Sequence, residues 1–135
     1  MIATDDLKRS VLDISTAAFL RTHFGEAWFR HGDPRTVLAL SLEELLAFAR
    51  VHGVRREVLV EECWTGNDHF VIDGQRGQWR VGFAERGAVR LIGTADSVHA
   101  ARDLVTRELF ALYESAADPS HWSGGVLAGT PWSGP

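Results

Sequence analysis

The chain has 135 residues, of which 45% are hydrophobic and 24% are charged, and its formal net charge is −4 at pH 7. This composition is typical of one globular domain that can bury a core without disulfides or metals. Because the net charge is negative, there is no basic surplus to bind phosphates. The charge argues against nucleic acid or an anionic membrane as the direct ligand and favours a basic partner.

The cysteine content and the first residues bear on the compartment. Cys63 is the single cysteine, so the chain forms neither an internal disulfide nor a zinc site built from cysteines. The first ten residues carry acids where a secretory signal has a basic start and a long apolar run, and no later stretch approaches the length of a membrane span. The sequence therefore predicts a cytoplasmic protein that does not associate with a membrane.

The N-terminal residues 5–23 show helical patterning. Ser15 and Thr16 interrupt the run and leave open two shorter helices, and Gly25 is expected to end the last of them. The apolar residues that recur at spacings of four, three and four are Leu7, Val11, Ile14 and Ala18.

The next segments are short and mixed in character. Residues 27–35 are aromatic and then turn-like, and we expect Trp28 and Phe29 to pack in the core. Residues 36–40 are β-branched and apolar, which predicts a short strand.

A helix with clear boundary signals follows. Ser41 and Glu44 have the spacing of a capping box, and Gly53 is placed to end the helix. Its predicted apolar face consists of Leu42, Leu45, Leu46 and Ala49.

Two hairpins are predicted after this helix. Residues 57–64 and 69–72 are strand-like and are separated by turn residues, which predicts the first hairpin. Residues 77–92 predict the second, because large apolar side chains alternate with small or charged ones until Gly87 permits a reversal. The alternating apolar residues are Trp79, Val81 and Phe83, which we expect to be buried beneath the following helix.

The last helix is expected to begin near Thr94 or Asp96 and to bury one stripe of side chains. The members of that stripe are Val98, Ala101, Val105, Leu109 and Leu112. From Ala117 on, the composition shifts to Pro, Ser and Gly, so residues 117–135 are predicted to be an irregular tail after a single domain over residues 1–116, with Trp122 and Trp132 as its anchors.

These elements together predict an α+β fold. Its sheet is an antiparallel β-meander of four to five strands, with N-terminal helices and a C-terminal helix packed on one face.

Acidic residues and a tryptophan surround the first predicted hairpin. Glu61 and Glu62 are adjacent and therefore point to opposite sheet faces, which does not suit a catalytic carboxylate pair. A solvated strand edge is the simplest interpretation, and a surface that faces a basic partner is the functional one. The candidate partner-binding residues are Glu61, Glu62, Trp64, Asp68 and Asp73.

The sequence gives weaker indications of a cysteine nucleophile and of a metal site. Cys63 with His69 as its base would form a nucleophile, but a lone cysteine in an apolar strand is more often buried and inert. A metal site would need His69 with Asp68 and Asp73, and no two of the six histidines lie within four residues of each other. The sequence therefore predicts no catalytic residue, no metal and no cofactor. The glycines that match no phosphate-binding motif are Gly74, Gly77, Gly82 and Gly87.

Residues 79–110, WRVGFAERGAVRLIGTADSVHAARDLVTRELF, resemble a C-terminal unit of bacterial immunity proteins from polymorphic toxin systems. The shared order is an aromatic alternating strand, an ERG turn, a second strand and a helix. Those families place a strand like EVLVEECW before it, as residues 57–64 do here, so the resemblance covers residues 57–110. It implies a small, non-enzymatic intracellular protein that binds a cognate toxin and covers its active site.

Two further hypotheses stay open. A small-molecule or regulatory module would have a pocket between sheet and helices, lined by Trp28, Phe70 and Trp79. An enzyme would need a cleft with at least two ionisable groups of displaced pKa, and no convincing pair stands out. Both a monomer and a homodimer are compatible with the sequence.

Overall fold

The computed structural model describes residues 4–122, which form five α-helices and a four-stranded sheet. The predicted α+β class is confirmed. The described residues fall into two compact units: one holds those up to Leu45 together with those from Leu109 on, and the other is Leu46–Glu108. None of the helices within residues 4–122 has the length and apolar character needed to cross a bilayer.

The N-terminal helical region is divided in two. Helix α1 covers Thr4–Leu12 and α2 covers Thr16–Phe24. Between them Ile14 adopts a left-handed φ of 54°, which breaks the helix, and its side chain is 46% exposed. The single stripe through Ile14 and Ala18 is therefore wrong, because the break changes which face of the chain is buried.

The predicted strand over residues 36–40 is also wrong. Arg35–Leu38 form the short helix α3 instead. The Asp33 carboxylate accepts a hydrogen bond from the Arg35 backbone N–H at 2.9 Å, and Pro34 already has helical backbone angles. These two features start a helical turn despite the β-branched residues that follow.

Trp122 ties the C-terminal segment to the aromatic turn Trp28–Arg30. Its ring centroid lies 5.3 Å from that of Trp28 and 5.6 Å from that of Phe29, and its indole N–H donates to Ala116 O at 2.9 Å. Trp28 is fully buried, as predicted, whereas Phe29 is half-buried. Pro119–His121 form a turn of 3₁₀ helix, so the expectation of no regular structure from Ala117 on is wrong there. Trp132 and residues 123–135 lie outside the described part of the chain.

Helix α4 covers Leu42–His52 and starts with the predicted capping box. The Glu44 N–H donates to Ser41 Oγ at 3.2 Å, and the Ser41 N–H donates to Glu44 Oε1 at 3.4 Å. Gly53 follows the helix with a φ of +74°, a value that favours glycine.

The sheet has the order β1-β2-β3-β4, with strands Leu59–Glu61, His69–Gln75, Gln78–Glu85 and Ala88–Ala95. The last three strands form an antiparallel meander, as predicted. Strands β1 and β2 are parallel, so the hairpin predicted over residues 57–72 is wrong. Between these strands the chain reverses twice, and the left-handed φ values of Glu62 (56°) and Asp68 (60°) accompany the reversals.

Both antiparallel connections are two-residue Arg-Gly turns. Arg76 and Gly77 have φ values of 52° and 75°, and Arg86 and Gly87 have 52° and 83°. Positive φ at both positions is typical of the type I′ turn, whose twist matches that of a hairpin. The hairpin predicted around Gly87 is confirmed, and β2 extends through residues that the sequence assigned to a longer polar turn.

Helix α5 covers Val98–Ala116 and starts later than predicted, because β4 continues to Ala95. Its fully buried apolar side chains follow one another every four residues, so Tyr113 belongs to the stripe whereas Leu112 is 44% exposed. Val81 is fully buried as expected, but Trp79 and Phe83 are only half-buried. The buried stripe consists of Ala101, Val105, Leu109 and Tyr113.

Candidate functional site

Residues 62–68, here called the Trp64 loop, connect the parallel strands β1 and β2. Three hydrogen bonds, one to the loop backbone and two that involve loop side chains, join this loop to the β3–β4 turn. The Gly87 N–H donates to Gly66 O at 2.8 Å, and the Thr65 hydroxyl donates to Gly87 O at 3.3 Å. The Arg86 N–H donates to the Asn67 side-chain oxygen at 3.1 Å. The loop is therefore fixed to a neighbouring turn over much of its length.

Trp64 is held by a cation from β3. The Arg80 guanidinium carbon lies 3.9 Å from the Trp64 ring centroid, within the range of a cation–π interaction. Arg80 also donates from Nη2 to Asp73 Oδ2 at 2.9 Å. Its Nε is buried and has no hydrogen-bond partner among the described residues. Arg80 thus links the loop tryptophan to the acidic residue of β2.

Gly82 leaves the space that Trp64 occupies. A Cβ atom at this position would lie 2.9 Å from the Trp64 ring and 2.9 Å from the Arg90 carbonyl oxygen, and it would also clash with Val89. The sheet therefore needs a glycine here so that the tryptophan can approach its surface.

The four predicted carboxylates differ in their surroundings. Glu61 accepts two hydrogen bonds of 2.7 Å from Arg102, which lowers the pKa of Glu61. Asp73 is paired with Arg80. Glu62 and Asp68 are exposed and form no ion pair within residues 4–122, so they are the two acids that remain open to a partner.

A shallow groove lies beside Trp64 on the sheet surface. Its volume is about 350 Å³, and its mixed wall offers side-chain amides, a hydroxyl and apolar groups. Leu91 on this wall is 58% exposed. The lining residues are Trp64, Gln75, Gln78, Arg80, Val89, Leu91 and Thr94.

The arrangement of side chains within residues 4–122 supports neither the nucleophile hypothesis nor the metal hypothesis. Cys63 is half-buried rather than buried in the core, and its Sγ lies 3.2 Å from Thr65 O. His69 Nδ1 lies 3.2 Å from Phe70 O. Across residues 4–122 no three His, Cys, Asp or Glu side chains are grouped so that they could hold a metal ion.

The residues predicted to line a pocket are mainly core residues. Trp28 is 0% exposed and Phe70 is 2% exposed, and Trp79 is half-buried with its ring against Gly74. A cavity of about 560 Å³ lies instead among residues of α4, β1 and α5. Its walls contain Arg50 and Arg102, which the sequence analysis did not select.

Two residues of the Trp64 site were also missed. Arg80 stands among the polar positions of β3, and Gly82 separates two large residues on an otherwise regular strand. A glycine in the middle of a strand is a recognised sign of close approach by another group, and this signal was present in the sequence.

Comparison with protein-family profiles, with curated proteins and with solved structures finds no match to this chain.

Proposed function

We propose that the chain is a non-enzymatic immunity protein of a bacterial toxin system, located in the cytoplasm, that neutralises its cognate toxin by protein–protein contact. The observation that carries this proposal is the construction of the Trp64 loop. Glu62 and Asp68 are exposed, form no ion pair with any described residue, and flank a tryptophan that is fixed by Arg80. Tryptophan is enriched among residues that dominate binding energy in interfaces.

The backbone of the loop supports a binding role. Glu62 and Asp68 both adopt left-handed φ values, which are uncommon for residues other than glycine. Such conformations persist where surrounding contacts enforce them, and they are concentrated at functional sites. Here the contacts are the hydrogen bonds to the β3–β4 turn. A loop that is already ordered loses less conformational entropy on binding.

The charge of the loop favours a basic toxin surface. Glu62 and Asp68 are available to attract cations of the partner, which would accelerate association and select the correct partner. Glu61 and Asp73 have a different role in this proposal, because each already binds an arginine. Asp73 orients Arg80, and Arg80 in turn holds Trp64. Among the five predicted contacts, Glu62, Trp64 and Asp68 therefore make the direct ones.

The experiment that tests the proposal is co-expression of this chain with the product of the adjacent gene, followed by affinity purification and a toxicity assay. We expect a stable complex and rescue of growth. Trp64→Ala and the double variant Glu62→Lys with Asp68→Lys should each weaken the complex by at least about tenfold.

A matched control makes the same change in net charge at two acids that are not part of the Trp64 loop. The double variant Glu26→Lys with Glu43→Lys alters two exposed acids outside the Trp64 loop and should bind like the unaltered chain. If the adjacent gene encodes no toxin domain and its product does not bind, the toxin hypothesis is wrong. Equal binding by the loop variants and the control would remove the Trp64 loop from the interface.

A further inference from the structure

A groove runs along the outer side of β1, which is an edge strand of the sheet. It consists of two cavities of about 560 and 290 Å³ that share Val54, Leu59 and Glu61 as lining residues. Residues of α4 and α5 form its other walls. The larger cavity is also lined by Ala49, Arg50, Gly53, His99, Arg102, Asp103 and Thr106.

The backbone of β1 has hydrogen-bonding groups that point away from the sheet. Val58 O accepts a hydrogen bond from the Phe70 N–H at 2.7 Å. In this parallel register the backbone N–H and C=O groups of Val58 and Val60 point to β2, and those of Leu59 and Glu61 point away from it. The Leu59 N–H is satisfied by Arg55 O at 3.0 Å. Leu59 O and both backbone groups of Glu61 have no partner among residues 4–122. These are the groups that an added strand uses.

Two arginines on the groove walls are oriented by carboxylates. Arg50 donates from Nε and Nη2 to Asp103 at 3.2 and 2.7 Å. Arg102 donates from Nε and Nη2 to Glu61, with both distances 2.7 Å. Each guanidinium thus uses one edge, and its Nη1 has no partner in the described part of the chain. A guanidinium held in this way presents its remaining donors to a ligand carboxylate.

The charge balance of the groove favours an acidic ligand. Both acids on its walls, Glu61 and Asp103, are already neutralised by arginines. Arg56 lines the smaller cavity and His99 the larger one, and both are exposed without an ion pair within residues 4–122. A basic peptide would meet the Arg56 cation, whereas an acidic one would find unused donors.

We propose that this groove binds an extended, acidic peptide segment of a partner protein by strand addition to β1. The peptide backbone bonds to Leu59 O and to the Glu61 backbone, and its carboxylates bind Nη1 of Arg50 and Arg102. Apolar side chains of the peptide pack on Ala49, Val54 and Leu59. This site is distinct from the proposed toxin contact, because it contains no residue of the Trp64 loop and its ligand is acidic rather than basic.

The test titrates the full chain with each of three capped heptapeptides and measures binding by the chemical shifts of the backbone amides. The first peptide alternates glutamate and valine, the second is the same peptide with N-methyl groups on alternate residues, and the third replaces glutamate by lysine. We expect saturable shifts at the Leu59 and Glu61 amides with the first peptide. N-methylation, which removes backbone donors, should weaken binding by about tenfold or more, and the lysine peptide should not bind.

Protein variants test the arginines separately from the backbone. Arg50→Ala and Arg102→Ala should each weaken binding of the glutamate peptide by about fivefold or more. Arg90→Ala, at an exposed position of β4, should leave binding unchanged. Equal affinity of the N-methylated peptide, or of free glutamate at the same carboxylate concentration, would overturn strand addition and leave a small-anion site. Absence of saturable shifts with the glutamate peptide would overturn the proposal entirely. The toxin proposal is unaffected by either result, since its variants lie in the Trp64 loop.

Discussion

Arg80 lies over the indole ring of Trp64, with its guanidinium carbon 3.9 Å from the ring centroid, and it binds Asp73 with the same guanidinium. Through this arrangement a residue of β3 fixes a side chain in the loop between β1 and β2. The position of Trp64 therefore depends on a residue far from it in sequence, and the Arg80 side chain stabilises the loop as well as the sheet.

Arg80→Ala should loosen the Trp64 loop and lower the free energy of unfolding by about 1–2 kcal/mol, because it removes a cation–π contact and a charged hydrogen bond. Urea denaturation measures the stability. Hydrogen exchange of the Gly87 amide, which donates to Gly66 O in the loop, reports the local opening. Arg80→Lys should have a stability between those of Arg80→Ala and the unaltered chain, since lysine keeps the charge without the planar group. An alanine variant with unchanged exchange at Gly87 would contradict this role.

Gly82→Ala should destabilise the sheet by about 1–3 kcal/mol, the usual range for overpacking. The added Cβ would meet the Arg90 carbonyl and the Trp64 ring, each at 2.9 Å. Gly93→Ala is the matched control, because its Cβ would make an ordinary contact of 3.6 Å with Leu104. Thermal unfolding of the two variants measures the difference. Equal melting temperatures would mean that Trp64 does not need this space.

Local patterns predicted those parts of the fold that local interactions determine. The capping box of Ser41 and Glu44 identified the start of α4, and alternation around Val81 identified the hairpin with its turn at Gly87. The direction of β1 relative to β2 could not be predicted in this way. It depends on left-handed conformations at Glu62 and Asp68, which are uncommon for residues other than glycine and which the local sequence pattern does not indicate.

The same distinction between local and tertiary interactions applies to the candidate site. The acidic residues and Trp64 could be selected because they are close in sequence. Their partners Arg80 and Arg102 could not, since they come from β3 and α5 and the packing of these elements decides which carboxylate each one meets. As a result, the sequence predicted all four carboxylates as partner contacts, whereas Glu61 and Asp73 are neutralised by arginines.

The pair of Glu61 and Arg102 should make stability depend on pH in the acid range. The hydrogen bonds from Arg102 lower the pKa of Glu61 below its ordinary value of 4.5, so the folded state binds a proton less readily than the unfolded state. The stabilisation is therefore fully present above pH 4.5 and is lost as the pH falls through the lowered pKa of the folded state.

Glu61→Gln should accordingly be less stable than the unaltered chain at pH 7 by about 1 kcal/mol or less, the range for a surface ion pair. The difference should disappear in strong acid. Denaturation curves at a series of pH values measure it. Glu57→Gln, at an exposed position without an ion pair in the described part of the chain, should show no such dependence. A constant difference between Glu61→Gln and the unaltered chain at all pH values would show that the ion pair is not formed.

Tyr113 should produce the opposite dependence at alkaline pH. Burial raises the pKa of its phenol from 10.0 to about 12, because the buried site disfavours the charged phenolate. Between these values the unfolded state loses a proton that the folded state retains, so stability falls as the pH rises. At pH 11 the loss is up to about 1.4 kcal/mol for one pKa unit. Tyr113→Phe should remove this part of the alkaline decline, and an unchanged decline would assign it to other groups.

The two Arg-Gly turns offer a way to stabilise the sheet. Arg76 and Arg86 both have a φ of 52°, a conformation that costs a residue with an ordinary side chain about 1 kcal/mol and that asparagine tolerates better. Arg76→Asn should therefore raise the free energy of unfolding by about 0.5–1 kcal/mol. Gly77→Ala, at a φ of 75° with no atom near the added Cβ, should lower it by about 1 kcal/mol from backbone strain alone. Because these changes act on one turn in opposite directions without a steric contact, chemical denaturation of both variants separates turn geometry from packing. A loss of stability in Arg76→Asn would show that the arginine side chain contributes more than its backbone conformation costs.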